Sequence, residues 1–249
     1  MANTDVGVAA GGLGKTIAAA IVQFNKAAVT PDLISMVAAV KGSNTVQFPV
    51  YSKLAVTAVT NEGTGDEDTE VAATSVTTQA LTVEILRNHI NARVTDLAAY
   101  GNADALMINA GQVLGNAVAA EFDANICARF DDFNTSKGTS TEGLRFLDIM
   151  DAVASLEAND APRPYAAVLH PQQMYGSFGL SNELGQVAAV NGSNGAFAGG
   201  SSAAEAFLSA GFVTSMAGVN FYTSPQVIDG ADATEKKGAV FAKTALGAG

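Results

Sequence analysis

The chain has 249 residues, enough for one or two compact units, and 24 acidic residues against 13 Lys and Arg give a formal charge of −11. Proteins that grip nucleic acid need Lys and Arg to neutralise phosphates, so the charge argues against that class. Only 15% of the residues are charged, against roughly 25% in ordinary domains, and 48% are hydrophobic. This composition predicts an oligomer, because a monomer would have too little charge to cover its surface.

The sequence predicts neither a membrane span nor an export signal. Its longest apolar runs are a handful of residues, and the first twenty residues lack the charged start and continuous apolar middle of a secretory signal. The single cysteine, Cys127, excludes an internal disulfide framework and a cysteine-rich zinc site. We therefore expect the chain to function in a reducing compartment.

The N-terminal segment predicts two helices. A glycine-rich stretch at 11–14 enters an Ala-rich helix over 16–28, which Thr30-Pro31 ends. A second, short apolar helix is predicted over 33–40, because Gly42 follows it closely and glycine often terminates helices.

A long hairpin is predicted next. Residues 45–60 and 71–86 are β-branched, aromatic and largely alternating, which is typical of two facing strands. Residues 61–70, NEGTGDEDTE, form a solvated acidic tip between them, and Pro49 indicates an edge strand or a bulge. A ribbon of two strands is marginal alone in water, so we expect it to lie on another surface.

Residues 96–130 carry the strongest helical pattern, with Asp96 as a cap. At about 1.5 Å per residue the helix would be roughly 50 Å long and would act as a spine. Its apolar stripe comprises Met107, Leu114, Val118, Phe122 and Ile126.

The C-terminal part mixes helices and strands. A second amphipathic helix has an apolar face of Phe146, Ile149, Met150, Val153 and Leu156. It is followed by a strand at 165–170, a helix opening at Pro171, a glycine-rich loop over 176–202, a short helix near 203–210, and strands at 219–224 and 238–243.

One motif suggests nucleotide binding. Residues 9–16, AAGGLGKT, match a relaxed phosphate loop ending in Gly14, Lys15 and Thr16, in which Lys would reach the phosphates and Thr would hold magnesium. No convincing buried strand precedes it, so we interpret these residues as a glycine-rich flexible arm that enters a helix.

No other pattern indicates catalysis or a cofactor. The acids at 66–70 lack the alternation and the closing Glu of a calcium loop, and they are interpreted as a solvated tip. His89 and His170 are 81 residues apart and form no metal spacing, and Cys127 has no polarising partner in the sequence. We predict no catalytic, cofactor or metal site.

This order of elements resembles the major capsid proteins of tailed bacteriophages, the coat fold of the Hong Kong ninety-seven type. LDIMDAVASLEANDAPRPYAAVLHPQQ at 147–173 resembles the start of their axial domain, and GVNFYTSPQV with GAVFAKTALG at 218–247 resembles their closing strands. The likeness covers nearly the whole chain. Family members often continue with further strands, so we expect either an economical closing of the sheet or a shortened form.

The resemblance implies an α+β coat fold with five regions. They are an N-terminal arm at 1–42, an extended hairpin loop at 43–95, the spine helix of a peripheral domain at 96–135, an axial domain at 136–218, and closing strands of the peripheral and axial domains at 219–249.

The resemblance also implies a function. The chain would self-assemble as pentamers and hexamers into an icosahedral head shell, built in the bacterial cytoplasm and enclosing double-stranded DNA without reading its sequence. Scaffold, portal and cement proteins would be its partners. The acids of the hairpin tip would make inter-subunit contacts: Glu62, Asp66, Glu67, Asp68 and Glu70.

Three alternatives stay open at this point. An encapsulin-like nanocompartment shares the coat fold but encloses a cargo enzyme. A nucleotide-binding enzyme would use Gly14, Lys15 and Thr16. A β-rich adhesin or surface-layer protein is disfavoured, because no export signal is visible.

Overall fold

The computed structural model describes residues 6–38, 43–51, 75–85, 88–90, 96–139, 142–176, 179–180, 215–216, 218–230 and 235–248. The chain is of mixed helix and strand and forms two compact units. The first comprises Met1–Ser35 and His89–Leu246, and the second comprises Met36–Asn88 and Gly247–Gly249.

Two long helices dominate the first unit. Helix α1 spans Val6–Ala27 and helix α2 spans Asp96–Cys127, continued by a 3-10 turn over Ala128–Asp132. The two helices run parallel, since residues further along α1 contact residues further along α2. Thr16 bonds to Met107 and Gln23 to Asn116, at nearly the same separation in sequence.

A four-stranded sheet forms the centre of the same unit. It comprises β4 (Tyr165–Leu169), β5 (Ser215–Met216), β6 (Val219–Thr223) and β7 (Ala239–Ala242), in the order β5-β6-β4-β7. Strand β4 runs parallel to β6 and antiparallel to β7. All five residues of β4 are buried, so this strand is covered on both faces.

Helices cover the two faces of the sheet. On one face, helix α3 (Phe146–Ala158) and the short helix α4 (Pro171–Tyr175) pack on alternate strand residues. The core there comprises Ile149, Val153, Tyr165, Ala167, Leu169, Met174, Leu180, Val219, Phe221 and Ala242. On the other face, the Phe241 ring contacts Phe130 and Phe133 just beyond α2, which anchors the end of that helix on the sheet.

The second unit is built on a ribbon of β2 (Thr45–Tyr51) and β3 (Thr78–Glu84). They are antiparallel, and Thr45 pairs with Glu84 and Tyr51 with Thr78. Two-residue strands, β1 at Ser35–Met36 and β8 at Gly247–Ala248, pair with each other.

The structure confirms most of the predicted elements. The spine helix is continuous, and the strands predicted at 165–170, 219–224 and 238–243 are present. The hairpin strands pair over Thr45–Tyr51 and Thr78–Glu84, whereas residues 75–77 and 85, also predicted as strand, are not in a strand. The distal hairpin residues, the loop over 181–202 and the short helix near 203–210 lie outside the described residues.

Two predictions for the N-terminal segment are wrong. Helix α1 begins at Val6 rather than Thr16, so the glycines at 11–14 lie inside it, although each costs a helix roughly 1 kcal/mol. Most helical stability in proteins comes from tertiary packing, and α1 packs on α2 at Thr16 and Ala20. The sequence also predicts a helix over 33–40. In the structure, Pro31–Leu33 forms a 3-10 turn and Ser35–Met36 forms a strand, so the described residues of that segment are not helical beyond Leu33.

Candidate functional site

The phosphate-loop residues lie in the interior of a helix. Gly14, Lys15 and Thr16 belong to α1, and the Thr16 hydroxyl donates to the Met107 carbonyl at 3.2 Å. A phosphate loop needs backbone N–H groups that are free to surround an anion at the start of a helix, whereas interior amides bond within the helix. Residues 14–16 therefore match the motif in sequence but do not form a phosphate-binding loop.

Close backbone contact joins α1 to α2. A Cβ at Gly111 would lie 2.4 Å from the Thr16 carbonyl oxygen, and a Cβ at Gly115 would lie 2.4 Å from the Ala20 carbonyl oxygen. The two glycines are one helical turn apart, and both face backbone carbonyl groups of α1, so the two helix backbones approach closely over this turn. The spacing of four between these glycines is the signal in the sequence that could have predicted the contact.

A buried carboxylate fastens the end of α1 to α2. Asp123 accepts hydrogen bonds from Val29 N–H at 3.0 Å, Thr30 N–H at 3.1 Å and the Thr30 hydroxyl at 2.6 Å. Both Asp123 and Thr30 are buried. Asp123 thus satisfies donors that would otherwise be left without partners after the helix ends.

Cys127 lies one helical turn beyond Asp123 and is fully buried. Burial and the Asp123 carboxylate raise the pKa of the thiol from 9.0 to about 12, against the opposing effect of a hydrogen bond with Ser224. A thiol in this state is a packing group and not a nucleophile.

One side of the helix pair is apolar and partly open. Ile17 and Ile21 lie one turn apart on α1 and are exposed, as is Val118 on α2. The rings of Phe24 and Phe122 meet edge-on with their centroids 6.1 Å apart. The apolar residues of α1 and the apolar stripe of α2 therefore lie on the same side of the pair.

The ribbon also has one apolar face. Side chains alternate along each strand, so Val46, Phe48 and Val50 share a face with Leu81 and Val83. Val46 is 4% exposed, but Val50 is 52% exposed and Leu81 is 60% exposed. Burial therefore decreases along the ribbon, and the apolar face is open at Val50 and Leu81.

Gly247 and Ala248 lie near the part of this face around Phe48. Val37 N–H donates to the Ala248 carbonyl at 2.9 Å, and a Cβ at Gly247 would lie 2.7 Å from the Phe48 ring. The residues of the acidic tip, Glu62, Asp66, Glu67, Asp68 and Glu70, lie outside the described residues.

Within the described part of the chain, no group of three or more His, Cys, Asp and Glu side chains could hold a metal ion. No helix in that part is both long and apolar enough to cross a membrane. The same residues include no buried polar side-chain atom without a hydrogen-bond partner. The candidate surfaces of the described chain are thus the open apolar faces of the ribbon and the helix pair.

The comparisons with known proteins concern the fold. No protein-family model matches the chain, and no curated protein matches its sequence. Among solved structures, a chain from Mycobacterium phage Che8 is similar over 82% of this chain and 70% of that chain, with a TM-score of 0.52 and 17% sequence identity. This chain therefore has a mixed helix and strand fold similar to that of a phage protein.

Proposed function

We propose that the chain is a structural protein that assembles with copies of itself into a closed shell, specifically the major capsid protein of a tailed bacteriophage, and that it is not an enzyme. The observation that carries the proposal is the open apolar face of the ribbon, on a fold similar to that of a phage protein.

We expect another surface to cover the apolar face of the ribbon. An isolated pair of strands is at best marginally stable in water, and its side chains at Val50 and Leu81 gain little burial within the described chain. In the proposed shell, this face rests on a neighbouring copy, which buries both side chains and orders the ribbon.

The composition supports the same assignment. A chain with 48% hydrophobic and 15% charged residues gains by burying surface against other copies, and its charge of −11 disfavours tight binding to enclosed DNA. In the proposed particle, copies form pentamers and hexamers, the acids of the tip make inter-subunit contacts, and scaffold, portal and cement proteins are the partners.

Electron microscopy and light scattering on the purified full-length protein test the assignment. We expect closed particles from the wild-type chain. Leu81→Asp should reduce particle yield at least tenfold, because each copy would bury a charge, while far-UV circular dichroism and the thermal midpoint of the subunit stay unchanged. Failure of the wild-type chain to form any assembly would contradict the proposal.

Val113→Asp is the matched control. Val113 is exposed on α2 to about the same degree as Leu81, and the substitution adds the same charge. We expect this variant to form particles. If both variants lose assembly equally, the added charge and not the position on the ribbon face causes the loss, and the role proposed for the ribbon is wrong.

A deletion tests the acidic tip. Removing residues 61–70 and joining the strands by a short glycine-containing turn should impair assembly more than subunit folding. Particles of normal size and thermal stability would show that the tip makes no required contact. Closed particles that contain an enzyme in place of DNA would favour the encapsulin-like alternative.

A further inference from the structure

His170 joins β4 to α4 and caps the helix with its ring. Gln172 N–H donates to His170 Nδ1 at 3.2 Å, and His170 N–H donates in return to Gln173 Oε1 at 3.0 Å. Nδ1 can accept a hydrogen bond only while it carries no proton. The cap therefore requires the neutral ring, with its proton on Nε2.

The capped turn is connected to a second segment of the chain. Gln173 Nε2 donates to the Lys236 carbonyl at 2.7 Å, so one side chain bonds both to the cap and to the neighbouring segment. There, Asp229 and Lys236 form a β-bridge and an ion pair. Lys237 N–H donates to the Ile228 carbonyl at 3.0 Å, which adds a bond beside the bridge.

Two charged groups act on the ring. The Lys236 ammonium opposes a positive charge on His170, and the Asp229 carboxylate favours one. Neither β4 nor α4 contains Asp, Glu, Lys or Arg. Partial burial, and then Lys236, hold the pKa of the imidazole below its ordinary value, against the smaller opposing effect of Asp229.

We propose that His170 is a pH-sensitive cap, whose protonation releases the first turn of α4 and loosens its link to the bridged pair Asp229 and Lys236. A proton on Nδ1 places two donors opposite each other, so the bond from Gln172 N–H is lost. The new charge also faces the Lys236 ammonium. The device does not depend on the proposed shell function.

Hydrogen exchange measured by mass spectrometry on the full chain tests this proposal. We compare the peptide covering α4 at pH 7.5 and pH 5.0, after correction for the intrinsic pH dependence of exchange, with the peptide covering α3 as the internal reference. Exchange of the α4 amides should rise by about 3- to 10-fold on acidification, as expected for the loss of one helix cap. No rise relative to α3 would overturn the proposal.

Two variants separate the cap from a general effect of acid. His170→Asn keeps an N-capping acceptor that does not titrate, so its α4 exchange should not change with pH. His89→Asn removes the other histidine of the chain and should keep the wild-type response. A response that persists in His170→Asn would overturn the proposal.

An NMR titration covers the case in which His170→Asn does not fold. In His89→Asn the remaining imidazole resonance belongs to His170 and should titrate with a midpoint below about 6.5. The backbone amides of Gln172 and Gln173 should shift with the same midpoint. A different midpoint, or none, would show that the ring does not control the cap.

Discussion

The carbonyl oxygen of Thr16 lies only 2.4 Å from the position that a Cβ atom at Gly111 would occupy. Glycine at 111 is therefore what allows the backbones of α1 and α2 to approach this closely. The contact joins two segments of the chain that are about 95 residues apart, and it orients the helix pair that carries the apolar surface at Ile17, Ile21 and Val118.

Gly111→Ala should destabilise the fold, because the added methyl group collides with backbone that cannot move independently. We expect a loss of about 1–3 kcal/mol in the free energy of unfolding, measured by urea denaturation. Gly14→Ala is the control, since a Cβ at residue 14 meets nothing within 4 Å. It should stabilise α1 by about 0.5–1 kcal/mol through helix propensity alone. Equal gains in both variants would contradict the close helix contact.

Asp123→Ala should remove the acceptor for three donors at the end of α1. Because the Thr30 amide and hydroxyl are buried, we expect a loss of about 2–4 kcal/mol in the free energy of unfolding. Glu121→Ala, on the exposed side of the same helix, should change it by less than about 0.5 kcal/mol. If Asp123→Ala is as mild as the control, the carboxylate does not fasten α1.

The aromatic contact between the helices can be measured by a double-mutant cycle. Phe24 and Phe122 meet edge-on with ring centroids 6.1 Å apart. The single Ala variants and the double variant, compared by urea denaturation, should give a coupling energy of about 0.5–1.5 kcal/mol. A coupling energy near zero would mean that the rings do not pack together in solution.

Cys127 should make stability depend on pH only in the alkaline range. The unfolded thiol ionises near pH 9, but the buried thiol keeps its proton up to about pH 12. The contribution of Cys127 to the unfolding free energy should therefore be constant below pH 9 and then fall with rising pH, with a slope approaching about 1.4 kcal/mol per pH unit. Cys127→Ala should lack this component, which is obtained by comparing the two proteins between pH 8 and 10.5.

A thiol reagent provides an independent check on Cys127. At pH 8 the native protein should not react with Ellman's reagent on the timescale of minutes, whereas the urea-unfolded chain should release one equivalent of product per chain. Rapid reaction of the native protein would show that Cys127 is accessible.

The sequence by itself determined the elements whose signals are local. Helix α2 could be predicted because its apolar residues recur at helical spacing over the twenty residues from Met107 to Ile126. Strands β2 and β3 could be predicted because β-branched residues alternate on both sides of an acidic segment. The strands β4, β6 and β7 were likewise visible as short apolar runs between turn residues.

Only the tertiary structure decided which residues hold these elements together. Gly111 and Asp123 act through partners about 95 residues earlier in the chain. The spacing of Gly111 and Gly115 could indicate a close helix contact, but nothing within α2 identifies the segment that makes it or the donors that Asp123 binds. The start of α1 and the extended course of Ile34 and Ser35 were decided in the same way. There, packing on α2 and strand pairing near the C-terminus outweigh local preferences worth about 1 kcal/mol per residue or less.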